Sequence, residues 1–183
     1  MNRVDGAAQQ GSSVDGRQPS EAPGLACELL ARAEEDRRLT RRAHPAATDL
    51  ERRRIAQCRR DNTRALRKAV AQHGWPTTGL VGEQASTAAL MILLHAEDVG
   101  FQLTCRDLIA RAAADGDCPV VHHAFIADHC AVELGQPQFY GTRVDPKTLA
   151  PYDTRQLPTL DERRRDVGLG PLADQMRTLR LPR

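Results

Sequence analysis

One apolar segment constrains the fold more than any other feature of this sequence. From Ala88 to Leu94 every side chain is apolar, and at 100° per residue they cover a helix nearly all the way round. A surface helix would keep a polar face toward water. The segment therefore predicts a central, buried helix with other helices around it. It is much shorter than the roughly 20 residues of a membrane span.

The rest of the pattern predicts an all-α chain. Aromatic residues make up 3% of the sequence, and the apolar residues are mostly Ala, Leu and Val, which suits a core of aliphatic side chains on helices. We predict a compact single-domain helical bundle of about five to seven helices, with one long irregular loop over 136–158. Residues 1–22 have almost nothing to bury and predict a disordered tail, so the helical domain is 23–183. Predicted helices begin near Leu25, Thr48, Glu83, Phe101, Pro119, Thr159 and Pro171, with capping boxes at Thr48–Glu51 and Thr159–Glu162.

Composition and motifs exclude several classes of function. The net charge of +2 is too small to indicate a nucleic-acid partner, and no aromatic residues interleave with the arginines of the second predicted helix, which favours a solvated face. Five cysteines without a C-x-x-C pair suggest neither a zinc cluster nor a full disulfide framework, so we expect a cytoplasmic protein. The glycine motifs of dinucleotide-binding, P-loop and serine-hydrolase enzymes are missing, and we expect no cofactor.

Six short motifs occur in an order that resembles a known family. They are "DNT" at 61–63, "GWP" at 74–76, "LVG" at 80–82, "HAED" at 95–98, "QPQFYGT" at 136–142 and "DERRRDVGLGPLA" at 161–173. Together they resemble the actinobacterial family DUF6624 over roughly residues 25–175, which implies a compact, mostly helical domain and no known reaction. The family pattern has Asp, Arg and Gln where this chain has Glu97, His129 and Arg143, and the last two differences change charge and donor geometry.

The first candidate catalytic group is His95 with Glu97 and Asp98. His95 and Glu97 lie about 200° apart on a continuous helix, so they meet only if the helix ends between them. His95 and Asp98 are three residues apart, and a carboxylate that orients an imidazole is the supporting half of a general base. The alternative is structural: His95 lies favourably at a helix C-terminus, and Asp98 caps the next helix.

Asp128 is the second candidate catalytic residue. It is in line with Val121, Ala124 and Val132 on its predicted helix, so its carboxylate points inward and needs a partner. It either forms an acid/base pair with a neutral histidine or anchors the long loop through a salt bridge or hydrogen bond. A metal site is not expected, because His122 and His129 are two helical turns, roughly 10 Å, apart.

Candidate ligand-binding residues lie mainly in the long loop. Gly141 allows close backbone approach, and Tyr140 offers a hydroxyl on an apolar ring, so the segment with Gln138 is either a ligand lid or a loop fixed to the core. Arg163 either clamps an anion or is a surface charge. The only tryptophan, Trp75, lies in a Gly- and Pro-rich turn and is a further candidate.

Two functions are compatible with this pattern. In the first, His95, Asp128 and the Tyr140 loop meet in a polar pocket that binds a small molecule or peptide and performs cofactor-free acid/base chemistry. In the second, the same polar groups fix loops in a non-catalytic interaction or regulatory module whose protein partner is unknown. A catalytic site requires His95 and a carboxylate within about 3 Å inside a cavity, whereas the module would show both satisfied by backbone groups.

Overall fold

A computed structural model describes residues 22–43 and 47–180 as an arrangement of eight α-helices without a β-strand in these ranges. The all-α prediction is confirmed, and the extra helix is a single turn, α3, inside the predicted turn around Trp75. The predicted disordered tail, apart from its last residue, lies outside the described residues. The helices are α1 (Pro23–Ala43), α2 (Asp49–His73), α3 (Thr78–Val81), α4 (Glu83–Leu94), α5 (Val99–Ala114), α6 (Val120–Glu133), α7 (Leu160–Asp166) and α8 (Leu172–Arg180), with a 3₁₀ turn at Leu157–Thr159.

The central helix is α4, as the apolar segment predicts. It contacts α1, α2, α3, α5 and α6. Ala89 and Leu93 are fully buried, and complete burial of one leucine contributes about 1.5–3 kcal/mol. Met91 is the exception, since 42% of its surface is exposed. Because α4 is surrounded on most sides, its C-terminal end lies close to residues of several other helices.

Helix α2 begins at the predicted capping box. The Thr48 backbone N–H donates to Glu51 Oε2 at 2.8 Å, and the Glu51 N–H donates to the Thr48 hydroxyl at 3.3 Å. The helix ends at Gly74, whose φ of 75° suits glycine. Asn62 lies in the apolar stripe of α2, and its Nδ2 donates to Arg32 O of α1 at 3.2 Å. This amide fixes α2 against α1, which sets the arginine face of α2 beside the end of α4.

The C-terminal part is joined to the bundle by the long loop. Helices α7 and α8 contact each other, and no helix–helix contact joins them to α1–α6 within the described ranges. The predicted capping box at the start of α7 is wrong: Thr159 Oγ1 accepts from Arg163 Nη1 at 2.6 Å instead of from the Glu162 N–H. Thr159 belongs to the preceding 3₁₀ turn, and its φ of −106° and ψ of 9° are not the extended backbone that an N-cap residue adopts.

Among the described residues, no helix is both long and apolar enough to cross a membrane.

Candidate functional site

His95 lies at the point where α4 ends. Its φ of −98° and ψ of 0° are no longer helical, so the chain turns and the side chain leaves the direction of the helix. The end is stabilised by Gln102 of α5, whose Nε2 donates to Leu93 O at 3.2 Å and to Ala96 O at 2.8 Å. Two of the carbonyl groups left over at the end of α4 are therefore satisfied by one buried side chain.

The partner of His95 is Asp36, a residue of α1. His95 Nδ1 lies 2.6 Å from Asp36 Oδ2, and Arg59 Nε of α2 donates to Asp36 Oδ1 at 3.1 Å. Asp36 is only 6% exposed. Within residues 22–43 and 47–180, His95 Nδ1 forms no aligned hydrogen bond, so its approach to Asp36 is a close polar contact. One buried carboxylate thus holds an imidazole and a guanidinium side by side.

Asp36 is not among the site residues predicted from the sequence, although its position on α1 carries a signal. The buried stripe of α1 runs through Leu29 and Ala33, and the next position at helical spacing is Asp36. A carboxylate in an otherwise apolar stripe needs a partner for the same reason as Asp128.

His95 has a lowered pKa. Burial is the main cause, the positive charge of Arg59 adds to it, and the Asp36 carboxylate opposes both. The imidazole is therefore neutral at neutral pH. Its Nε2 is not buried and has no protein partner among the described residues, and the ring lines a cleft.

The cleft has a volume of about 320 Å³, near the lower end for small-molecule sites. It lies between the exposed face of α2 and the turn from α4 to α5. His95 and Glu97 both face the cleft, because α4 ends at Leu94, before them. An end of the helix at this point is the condition under which the two side chains can meet. The lining residues are Arg59, Arg60, Thr63, Arg64, Arg67, His95, Glu97 and Asp98.

Asp98 does not pair with His95. Its Oδ1 accepts from the Phe101 N–H at 2.9 Å and caps α5, and its Oδ2 contacts Arg67 Nη2 at 2.5 Å. These contacts lower the pKa of Asp98, the Phe101 N–H most strongly. The predicted His95–Asp98 pair is thus replaced by His95–Asp36, because the cap holds Asp98 toward α5.

A second imidazole, His129 of α6, lies behind His95. Its Nδ1 contacts Arg143 Nη1, and its Nε2 lies 2.9 Å from Gln102 Nε2. Burial, followed by the charge of Arg143, lowers its pKa to about 4, and Glu133 opposes this. The Nδ1 side of the ring faces the Arg143 guanidinium, so a proton added there would meet like charge. Gln102 therefore touches both the end of α4 and the ring of His129.

Asp128 lies apart from the cleft and binds the long loop. Its carboxylate accepts from the backbone N–H groups of Phe139 at 2.7 Å, Tyr140 at 3.0 Å and Thr142 at 2.8 Å, and from the Thr142 hydroxyl at 3.0 Å. The residue is completely buried. With its oxygen atoms occupied by these donors, Asp128 has the anchoring geometry of the structural alternative, and it does not line the His95 cleft.

The predicted ligand-binding residues of the loop surround Asp128 rather than the cleft. Gln138 is buried and donates to Arg143 O and Tyr152 O, each at 3.0 Å. Gly141 has a φ of 66°, in the left-handed region that suits glycine, which lets the loop turn back toward Asp128. These contacts fix the loop in place.

Tyr140, Arg163 and Trp75 are also absent from the cleft lining. The Tyr140 ring meets Phe139 edge-on at 4.9 Å, and burial raises the pKa of its hydroxyl. Arg163 donates to Phe139 O at 2.9 Å and stacks on the Phe139 ring, so its guanidinium group is already engaged within the chain. Trp75 is 4% exposed and belongs to the hydrophobic core. The structure therefore does not bring the predicted site together in one pocket.

Comparison with known proteins identifies the family of this chain. Residues 23–181 match the family of unknown function DUF6624. The chain belongs to this family. No curated protein and no solved structure matches the chain significantly.

In this DUF6624 chain, Arg143 Nη1 contacts the ring of His129, and this contact joins the long loop to α6. Both residues are positions where the sequence is expected to depart from the family pattern.

Proposed function

We propose that this DUF6624 domain is an enzyme in which His95 acts as a general base on a small molecule or peptide bound in the cleft between α2 and the α4–α5 turn. The contact that carries the proposal is the 2.6 Å approach of Asp36 Oδ2 to His95 Nδ1, with the other ring nitrogen open to the cleft. The distance and the cleft support a catalytic role for His95 over an interaction module.

Asp36 acts as a positioning residue. Its negative charge beside Nδ1 favours the tautomer that carries the proton there, which leaves the Nε2 lone pair directed at the ligand. The lowered pKa of His95 keeps the ring unprotonated near neutral pH, as a base requires.

Arg59 supplies the complementary electrostatic role. Its Nε is held on Asp36 at 3.1 Å, and its two Nη groups have no protein partner in the described part of the chain. A guanidinium beside the base stabilises the negative charge that develops when a proton is removed from carbon, oxygen or nitrogen. Deprotonation of this kind serves hydrolysis, isomerisation and cyclisation, and needs neither a metal nor a cofactor. We place the activity in the cytoplasm.

The test is turnover of metabolite pools by purified protein, followed by untargeted mass spectrometry. We expect a substrate that the wild type consumes and that His95→Asn consumes about 10² to 10⁴-fold more slowly. Asp36→Asn should also slow turnover, and should shift the imidazole nitrogen resonances of His95 toward the other tautomer. His73→Asn, at an exposed histidine of α2, is the matched control and should leave turnover unchanged.

Two results would contradict the proposal. One is consumption that is equal in wild type and in folded His95→Asn. The other is a nitrogen spectrum of wild type that shows His95 protonated at Nε2, since that atom could not then accept a proton. Either result would favour the interaction module, in which the dyad only fixes α1 to α4.

A further inference from the structure

The arginines of the cleft lie on one side of α2. Arg60, Arg64 and Arg67 follow one another at spacings of four and three residues, so they share a face and span roughly 10 Å along the helix axis. Arg59 borders this face beside His95. The cleft lining thus contains four guanidinium groups against the two carboxylates of Glu97 and Asp98.

The internal contacts of these arginines leave most of their donors free. Arg67 contacts Asp98 through Nη2 alone and is held over the Phe101 ring at 4.2 Å. Arg64 contacts Asp61 through Nη1 at 3.1 Å. Each carboxylate therefore holds a guanidinium in place through one nitrogen, and the other nitrogens remain available to a ligand.

Arg60 differs from the other three because no carboxylate pairs with it among the described residues. Its Nη2 donates to the neutral Gln57 Oε1 at 2.8 Å, which orients the side chain without neutralising it. Its uncompensated positive charge makes Arg60 the natural first contact for an anion that enters the cleft.

We propose that the cleft binds the phosphate group of a small phosphorylated molecule. A phosphate presents oxygen atoms in several directions, which suits guanidinium groups that approach from successive turns of a helix. A carboxylate has two oxygen atoms in one plane, and the planar guanidinium of a single arginine satisfies both. The cleft volume of about 320 Å³ accommodates a small ligand rather than an extended chain. The inference rests on the proposed function, since the phosphate group would hold the substrate beside His95.

The first experiment is a calorimetric titration of the full chain with inorganic phosphate at pH 7.5 and low salt, with acetate at equal ionic strength as the comparison. We expect saturable binding of phosphate and at least about tenfold weaker binding of acetate. Arg60→Gln should weaken phosphate binding about tenfold or more. Arg53→Gln removes an exposed arginine of the same helix that does not line the cleft, and should have no effect.

Three outcomes of these anion titrations overturn the inference. Phosphate does not bind; acetate binds as tightly; or Arg53→Gln weakens binding as much as Arg60→Gln, which would mean that the general charge of α2 attracts anions. Tighter binding of a single-stranded oligonucleotide, reduced equally by both variants, would indicate a nucleic-acid surface and would also overturn it.

His95→Asn separates this inference from the proposed function. It should bind phosphate within about twofold of the wild type, because the arginines are intact. If the wild type turns over a substrate but binds no phosphate, only the phosphate inference fails. If phosphate binds to both proteins and turnover is equal in both, only the general-base proposal fails.

Discussion

Asp36 shows how one buried carboxylate organises two functional groups from different helices. Its two oxygen atoms contact His95 of α4 and Arg59 of α2, while the residue itself lies on α1. Both partners contact the same carboxylate, which sets the imidazole and the guanidinium side by side. Removing the carboxylate would release both partners. Asp36→Asn therefore tests the positions of His95 and Arg59 at the same time.

At the residue scale, His129 predicts a loss of stability in acid. Its pKa is about 4 in the folded protein and about 6.5 in an unfolded chain. Below pH 6.5 the unfolded chain binds a proton at this ring and the folded protein does not, so the free energy of unfolding falls as the pH falls and levels off near pH 4. The full contribution is about 3 kcal/mol.

Urea unfolding of wild type and His129→Gln between pH 7.5 and pH 4.5 measures this contribution. The variant should lose less stability over this range, by up to about 3 kcal/mol. The lowered pKa values of His95, His122 and His123 act in the same direction, so part of the wild-type pH dependence should remain. An identical slope in both proteins would show that His129 is not the group responsible.

The site could be predicted from the sequence only where neighbouring residues determine it. The end of an apolar segment identified His95, and the fold placed Glu97 beside it because α4 stops at Leu94. Asp98 has the capping contact of the structural alternative, with the Phe101 N–H. The partner of His95 was not predicted, because periodicity indicates which face of a helix is buried and not which helix it meets. The Asp36–His95 pair spans the packing of α1 against α4, and nothing local in the sequence encodes it.

At the scale of elements, Asp128 links α6 to the long loop. Its inward direction was predicted from its register with apolar residues of the same helix, and the loop as its partner was one of two alternatives. The positions of the loop donors were not predictable, since they depend on an irregular backbone with a φ of 66° at Gly141. The loop takes its shape from the carboxylate, so it is ordered although it contains no strand and no α-helix from 134 to 156.

Asp128→Asn should therefore loosen the loop. The amide retains one acceptor oxygen and turns an NH₂ group toward backbone donors, so we expect a loss of about 3 kcal/mol in unfolding free energy and faster hydrogen exchange at Phe139, Tyr140 and Thr142. Asp145→Asn is the control, because Asp145 accepts backbone hydrogen bonds in the same loop at an exposed turn. Equal effects of the two substitutions would show that Asp128 stabilises the loop no more than the exposed Asp145 does.

At the scale of the whole molecule, the structure has two parts that differ in how they are held. The bundle α1–α6 surrounds α4 through apolar contacts, and this part was predictable because helical periodicity and one fully apolar segment define it. Helices α7 and α8 are attached through polar contacts to the loop. The buried residues Leu160 of α7 and Met176 of α8 lie outside the hydrophobic core that surrounds α4.

Arg164 is the main polar link of the second part. It is 1% exposed, and it donates to Gly170 O at 2.7 Å, Tyr140 O at 2.8 Å and Gln175 Oε1 at 2.8 Å. Burial lowers its pKa. All three acceptors are uncharged. The guanidinium is therefore held by well-placed hydrogen bonds rather than by an ion pair, and it joins α7, α8 and the loop at one point.

Arg164→Gln should release α7 and α8 while the bundle remains folded. A glutamine cannot reach all three acceptors, and buried carbonyl groups would be left unpaired, so we expect the free energy of local opening to fall by about 2–4 kcal/mol in α7 and α8. Hydrogen exchange followed by mass spectrometry resolves the two parts. Arg165→Gln, at the exposed neighbouring position, should change neither. If exchange in α4 accelerates as much as in α7 and α8, the two parts unfold together, and the loop transmits stability through the whole chain.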